Sequence, residues 1–321
     1  MNIVVLDDFE KNLVLVKEHP VIASAASMTV HHQPLEGKAL LEAVLPANIL
    51  VLMRDRTPLK KDLIDQLPNL KYVIFTGNRN LAIDYGALKE RNIPVSFTEF
   101  GPSKETTVEI TWTLILGAYK RLIEQNQLVK DGLWRNAYSV MPPLHGERLG
   151  VLGLGAIGGR VAQVGLAFGM DVVTWSPHMT PERAAAKGVK AVSLEELLST
   201  SRIVTLHLVP GEGTRYLMDA KRLAMMRPDS LLVNTSRSAL IVTSDLLAAL
   251  KMQRPAMAAL DVFDVEPLTL ADPITQVPNL LITPHLGFVS QPVFAKMREG
   301  LGMAIAAFLQ NQAIVNEVKP T

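Results

Sequence analysis

The sequence contains no cysteine. Disulfides, thiolate metal sites and a cysteine nucleophile are therefore excluded, and a reducing compartment is compatible with the chain. It also has no excess of charge of either sign. Its 32 Lys and Arg stand against 31 Asp and Glu, a formal net charge of +1, so neither nucleic acid nor an anionic membrane surface is expected as a partner. No apolar run reaches membrane-spanning length. The opening MNIVVLDDFEKN has an apolar run that is short and ends in acids, which predicts a buried strand and no signal peptide. The seven histidines have no metal-ligand spacing, so a metal is not expected. Internal repeats, low-complexity tracts and flexible linkers are missing too. A cytoplasmic globular protein is the expectation.

What the sequence does have is apolar content, 48% over 321 residues, enough for two sizeable cores. Short Val/Ile/Leu-rich runs alternate with longer helical patterns. Ile3 to Leu6, Ile49 to Met53, Tyr72 to Phe75 and Val95 to Phe97 read as buried strands, with an amphipathic stretch such as Leu59 to Leu67 between them. A pattern from about Lys104 to Lys130 reads as one continuous helix, with Gly117 its only weak point. A second alternation follows, with strands at Leu149 to Leu152, Asp171 to Trp175, Ile203 to Leu206, Leu231 to Val233, Ala256 to Leu260 and Leu280 to Ile282. Helices are predicted over Ala156 to Phe168 and about Gln291 to Leu309. This predicts two α/β lobes built on doubly wound parallel sheets, with a cleft between them. Ligands in such sheets gather at the carboxyl ends of strands.

Gly153-Leu-Gly155-Ala156-Ile157-Gly158 follows one predicted strand and opens a helix. Gly153 would make the tight turn. Gly155 would let the backbone approach a pyrophosphate, and Gly158 would let helix and strand pack closely. The helix start offers amides and a positive dipole end to phosphate. An acid is usual at the end of the next strand, where it binds the adenosine ribose. Ser176 stands there, with His178 near and Arg183 farther along. Without that carboxylate a 2′-phosphate is not repelled, so NAD and NADP both remain open.

Three further segments begin at predicted strand ends: Asn234-Thr235-Ser236-Arg237, Asp261-Val-Phe-Asp264-Val-Glu266-Pro267 and Thr283-Pro-His285-Leu-Gly287. Singly, each has a plain structural explanation, and Asp264 reads as a loop residue only. Together, an Arg, a Glu and a His suit reduction of a 2-oxo acid. The Arg forks onto a carboxylate. The His protonates the carbonyl oxygen as hydride arrives, and the Glu keeps the His protonated.

With these segments and Leu149 to Gly158, the chain resembles the D-isomer-specific 2-hydroxyacid dehydrogenases, the family of glycerate, glyoxylate/hydroxypyruvate and phosphoglycerate dehydrogenases. Thr107-Val-Glu109 is a fainter match to the family's cofactor-side helix. The resemblance implies that Arg237 binds substrate, that Glu266 and His285 form the acid–base pair, and that Thr235 and Asp261 lie on the cofactor side, Asp261 at the nicotinamide amide. It implies a Rossmann cofactor domain, about 101–287, inserted in a flavodoxin-like substrate domain made of about 1–100 and 288–321. It also implies a homodimer formed through the cofactor lobes around the 104–130 helix.

In the first lobe, Gly77 and Asn78 are expected to present backbone amides to a substrate carboxylate, and Arg54 is a candidate contact for an anionic substrate. Family members usually carry Gly after the catalytic Arg, where this chain has Ser238. The expected reaction is hydride transfer between a nicotinamide cofactor, NAD or NADP, and a small 2-oxo or 2-hydroxy acid of the glyoxylate or hydroxypyruvate kind. The alternative on the same fold is an NAD-sensing, corepressor-like interaction protein. Oxidation of formate fits less well, because it needs no Glu beside the His.

Overall fold

The computed structural model describes residues 1–318. The chain divides into two compact units. One comprises Met1–Ser103 together with the segment from Ser290 onward; the other is Lys104–Val289.

The first unit is built on five parallel strands: β1 (Asn2–Val5), β2 (Ser27–Val30), β3 (Ile49–Leu52), β4 (Tyr72–Phe75) and β5 (Val95–Phe97). Their order is β2-β1-β3-β4-β5, the flavodoxin-like order, which places a switch point between β1 and β3. β3 and β4 are apolar runs buried along their whole length, as a parallel sheet covered on both faces requires. β2 was not legible as a strand. Its residues, Ser-Met-Thr-Val, sit at the sheet edge and are exposed or half-exposed throughout, so the pattern lacks a continuous apolar run. The stretch Leu59 to Leu67 forms only a short helix, Lys61–Ile64. The helix Gln291–Leu309 returns to this unit and buries Val293, Phe294, Met297, Leu301 and Ile305.

The second unit carries seven parallel strands: β6 (Arg148–Leu152), β7 (Asp171–Trp175), β8 (Lys190–Ala191), β9 (Ile203–Leu206), β10 (Leu231–Asn234), β11 (Met257–Leu260) and β12 (Leu280–Ile282). The order is β12-β11-β10-β9-β6-β7-β8. This is the doubly wound Rossmann arrangement with one strand added, and its switch point lies between β6 and β9. Apolar side chains cover both faces in two clusters, one centred on Leu152, Leu206 and Leu232, the other on Val151, Ile203 and Val233.

The stretch 104–130 is not one helix. It forms Ser103–Tyr119 and Leu122–Lys130, and the break falls at Arg121, whose backbone is left-handed (φ 47°, ψ 45°). One such residue ends the i→i−4 ladder. No Gly or Pro marks the place, so propensity gives no warning. Tertiary contact supplies the compensation, with the Arg121 guanidinium stacked 4.8 Å from the Tyr138 ring centroid. Among the described residues no helix is long and apolar enough to cross a membrane, and no cluster of His, Asp and Glu is arranged to hold a metal.

Candidate active site

The carboxyl edge of the second sheet carries the candidate groups, and strand order sets their sequence in space. β6 leads into the glycine turn and β9 into His207. β10 leads into the Arg237 loop, β11 into Asp261 and Glu266, and β12 into His285.

The glycine turn differs from residue to residue. Gly153 has φ +97°, and a Cβ there would lie 2.6 Å from the His207 carbonyl oxygen. A Cβ on Gly158 would lie 1.9 Å from the Gly153 carbonyl oxygen. Both positions are glycine because the protein's own backbone leaves no room. Gly155 is different: its φ is not in the left-handed range and a Cβ there would meet nothing within 4 Å. Gly155 and Ala156 are exposed, at the start of the ten-residue helix Gly158–Ala167. Among the described residues the amides of Ala156 and Ile157 have no recorded acceptor. An open glycine and open amides at a helix start fit a bound pyrophosphate. Behind the turn, His207 was missed in the sequence, although it follows a strand end like the other groups. Its Nε2 lies 2.9 Å from the Thr205 hydroxyl, and burial pushes its pKa down to about 3, so it is a neutral support for Gly153.

Ser176 lies half-buried directly after β7. The Arg183 guanidinium folds back and donates to the His178 carbonyl at 2.6 Å. The cation that was remote in sequence therefore reaches the 176–178 turn.

The Arg237 loop is closed by Asn234. Its amide donates to the Arg237 carbonyl at 2.8 Å, and its Oδ1 accepts from the Ser236 amide. Thr235 is buried, its hydroxyl 2.7 Å from that of Thr111. Arg237 is exposed and donates to the Ser236 carbonyl. Ser238 begins a 3-10 turn, Ser238–Leu240, and is not among the positive-φ residues, so serine is unstrained there.

His285 and Glu266 meet. Nδ1 of the imidazole lies 2.6 Å from Oε2 of Glu266, while Oε1 accepts from the Phe263 amide at 2.9 Å. His285 has a left-handed backbone (φ 55°), a conformation that persists where neighbours over-determine it. Asp261 is such a neighbour. It is fully buried, and its carboxylate accepts from the Thr283 hydroxyl and from the Leu286 and Gly287 amides, at 2.6, 2.7 and 2.8 Å. Burial raises its pKa, against the lowering pull of those donors. The carboxylate expected at the nicotinamide is thus also the hub of the His285 loop. Thr107 adds a tie from the far end of the unit, its hydroxyl donating to the Gly287 carbonyl at 2.6 Å.

Of the candidates in the first unit, Gly77 and Arg54 are held by neighbours within that unit. Gly77 (φ +92°) packs against Phe100, whose ring a Cβ would meet at 2.5 Å. Its amide donates to the Thr98 hydroxyl at 3.1 Å. The Gly77 amide is thus engaged within the unit, while Asn78 is exposed. Arg54 is left-handed (φ 55°), and its guanidinium lies 4.3 Å from the Phe100 ring centroid. Its Nε is 4.0 Å from the Asp55 carboxylate, so much of its charge is answered locally.

Comparison with known proteins places the chain among relatives. The profile of the D-isomer specific 2-hydroxyacid dehydrogenase NAD binding domain matches residues 112–287. A glyoxylate reductase from Aeropyrum pernix is 34% identical over 295 residues, 89% of this chain and 87% of that protein. A D-3-phosphoglycerate dehydrogenase from Haemophilus influenzae is 30% identical over 289 residues, 88% of this chain and 68% of that one. The crystal structure of a phosphoglycerate oxidoreductase from Vibrio cholerae matches with a TM-score of 0.86 at 30% identity, covering 97% of this chain and 99% of that one. The chain belongs to the D-isomer specific 2-hydroxyacid dehydrogenase family.

Proposed function

We propose that the protein reduces a small 2-oxo acid, glyoxylate or hydroxypyruvate in type, to the D-2-hydroxy acid. The observation that carries this reading is the Glu266–His285 pair, 2.6 Å apart at the ends of adjacent strands, one strand from Arg237. The bound nicotinamide supplies the hydride. Arg237 holds the substrate carboxylate by a two-point fork. His285 donates the proton on Nε2 to the substrate's carbonyl oxygen. Glu266 accepts from Nδ1, which fixes the ring and favours its protonated form. A panel of 2-oxo acids assayed against NADH and NADPH tests this. Failure to oxidise either cofactor with any of them would leave the corepressor-like reading instead.

Gly155 separates cofactor binding from folding. Gly155→Val is expected to leave the melting temperature unchanged, because a Cβ there meets nothing within 4 Å. Cofactor affinity is expected to collapse, because the side chain would stand in the pyrophosphate's place. Calorimetric titration with NADH and NADPH, beside a thermal melt, checks both. Unchanged affinity in the folded variant would make the turn structural only.

Both cofactors are expected to serve. Ser176 hydrogen-bonds a ribose hydroxyl without repelling a phosphate, and Arg183 stands by the same turn. Ser176→Asp introduces a repulsion of about 1–3 kcal/mol toward a 2′-phosphate, so KM for NADPH should rise roughly ten- to a hundredfold while that for NADH holds. A parent enzyme that already rejects NADPH contradicts this.

A homodimer is part of the same reading. Leu122, Ile123, Val129, Leu133, Trp134 and Val140 are each more than half exposed along one segment of the second unit. Apolar residues in that density suit an interface with a second copy. Sedimentation of Trp134→Glu/Val140→Glu should give a smaller particle than the parent; equal particles count against this surface.

A further inference from the structure

We propose that Asp264 and Thr243 form a tether that positions Glu266 against His285. The proposal rests on the acid–base reading above. Asp264 sits on the exposed part of the loop that carries Glu266, and Val265 beside it is 70% exposed. Phe263 and Leu268 pack against the core on either side. Beneath the loop lies a hollow lined by Ile241, Leu246, Val262, Leu268 and Ile274, so side-chain packing alone does not seat the segment between them. The Thr243 hydroxyl donates to Oδ2 of Asp264 at 2.6 Å.

Thr243 is the first residue of the helix Thr243–Lys251, which is fixed in the core by Leu246 and Leu250. Val242, at that helix's N-cap, supplies no side-chain acceptor. The Asp264 carboxylate, arriving from the other loop, is favoured at the helix start by the dipole. The tie thus runs from a core-anchored helix through Thr243 and Asp264 to the peptide two residues before Glu266. Glu266 then closes the turn on the Phe263 amide and meets His285 with its other oxygen. The charged groups recorded against His285 are Glu266 and the buried Asp261. Asp264 faces Thr243, and Asp245 of the same helix is bound to the Ala220 amide.

The test is the pH dependence of kcat/KM for glyoxylate reduction. Asp264→Ala and Thr243→Val should each move the alkaline limb to lower pH, a loss of roughly three- to tenfold at the alkaline end with none at the acid end. Asp264→Asn removes the charge but keeps an acceptor, and Thr243→Ser keeps the donor; both should hold the parent's limb. In a Glu266→Gln background, Asp264→Ala should add no displacement. Limbs at the parent's position for both Asp264→Ala and Thr243→Val overturn the tether. So does Asp264→Asn behaving as Asp264→Ala, because the effect would then be one of charge. An equal displacement in the Glu266→Gln background overturns it as well. If Glu266→Gln alone leaves the limb unmoved, the acid–base reading fails first and the tether falls with it.

Discussion

Replacing Arg237 by alanine is expected to abolish most turnover while cofactor affinity stays where it was. The residue follows β10, one strand removed from His207 and two from the glycine turn, so truncation leaves the dinucleotide turn intact. Its guanidinium donates to the adjacent Ser236 carbonyl, and its carbonyl is held by Asn234 whatever the side chain. Stability should therefore change little. On the proposed reading, what is lost is the fork that holds the substrate carboxylate. A hydrogen bond to a charged group is worth about 1.5–3 kcal/mol, or roughly 10- to 150-fold in kcat/KM. Arg237→Lys should recover part of this, since an ammonium supplies charge without the planar fork. Steady-state kinetics beside cofactor titration decide it. A variant that binds cofactor and turns over at the parent's rate removes Arg237 from the site.

The second large effect concerns pH. On the proposed reading, reduction needs a protonated His285. A carboxylate 2.6 Å from Nδ1 is opposite in charge to that form, and an amide in its place is neutral. For Glu266→Gln the alkaline limb of kcat/KM for reduction should therefore move to lower pH. Oxidation of the hydroxy acid needs the neutral ring, so its acid limb should move to lower pH too, a gain on that side. The side chains are 29% and 33% exposed, so solvent screens the pair. Because kcat/KM reports groups on the free enzyme and free substrate, profiles in both directions isolate the effect from binding. Profiles that stay in place at full activity would make Glu266 a turn residue and leave His285 acting without it.

The site was legible in the sequence wherever its chemistry is local. The glycine spacing, the Arg, Glu and His each just past an apolar run, and the serine replacing an acid are all readable from a few neighbouring residues. Asp264 shows the limit of that reading. As a residue in a loop it carries no signal, because its partner Thr243 lies 21 positions away on an element whose place is set by the sheet. The same holds for Gly77, whose amide donates to the Thr98 hydroxyl, also 21 positions away.

By itself the sequence determined most of the buried strands, the turn that only glycine can make at Gly153, and the candidates for the reacting side chains. These follow from period, steric limits and chemical type, which act over a few residues. Tertiary structure alone decided the rest. It set the order β12-β11-β10-β9-β6 that puts five strand ends side by side. It placed Asp261 under the His285 loop and brought the Thr107 hydroxyl to Gly287, 180 residues away. It broke the 104–130 helix at Arg121. Each of these is a contact between groups far apart in the chain. Its energy exists only once the sheet is assembled, so no local pattern of residues announces it.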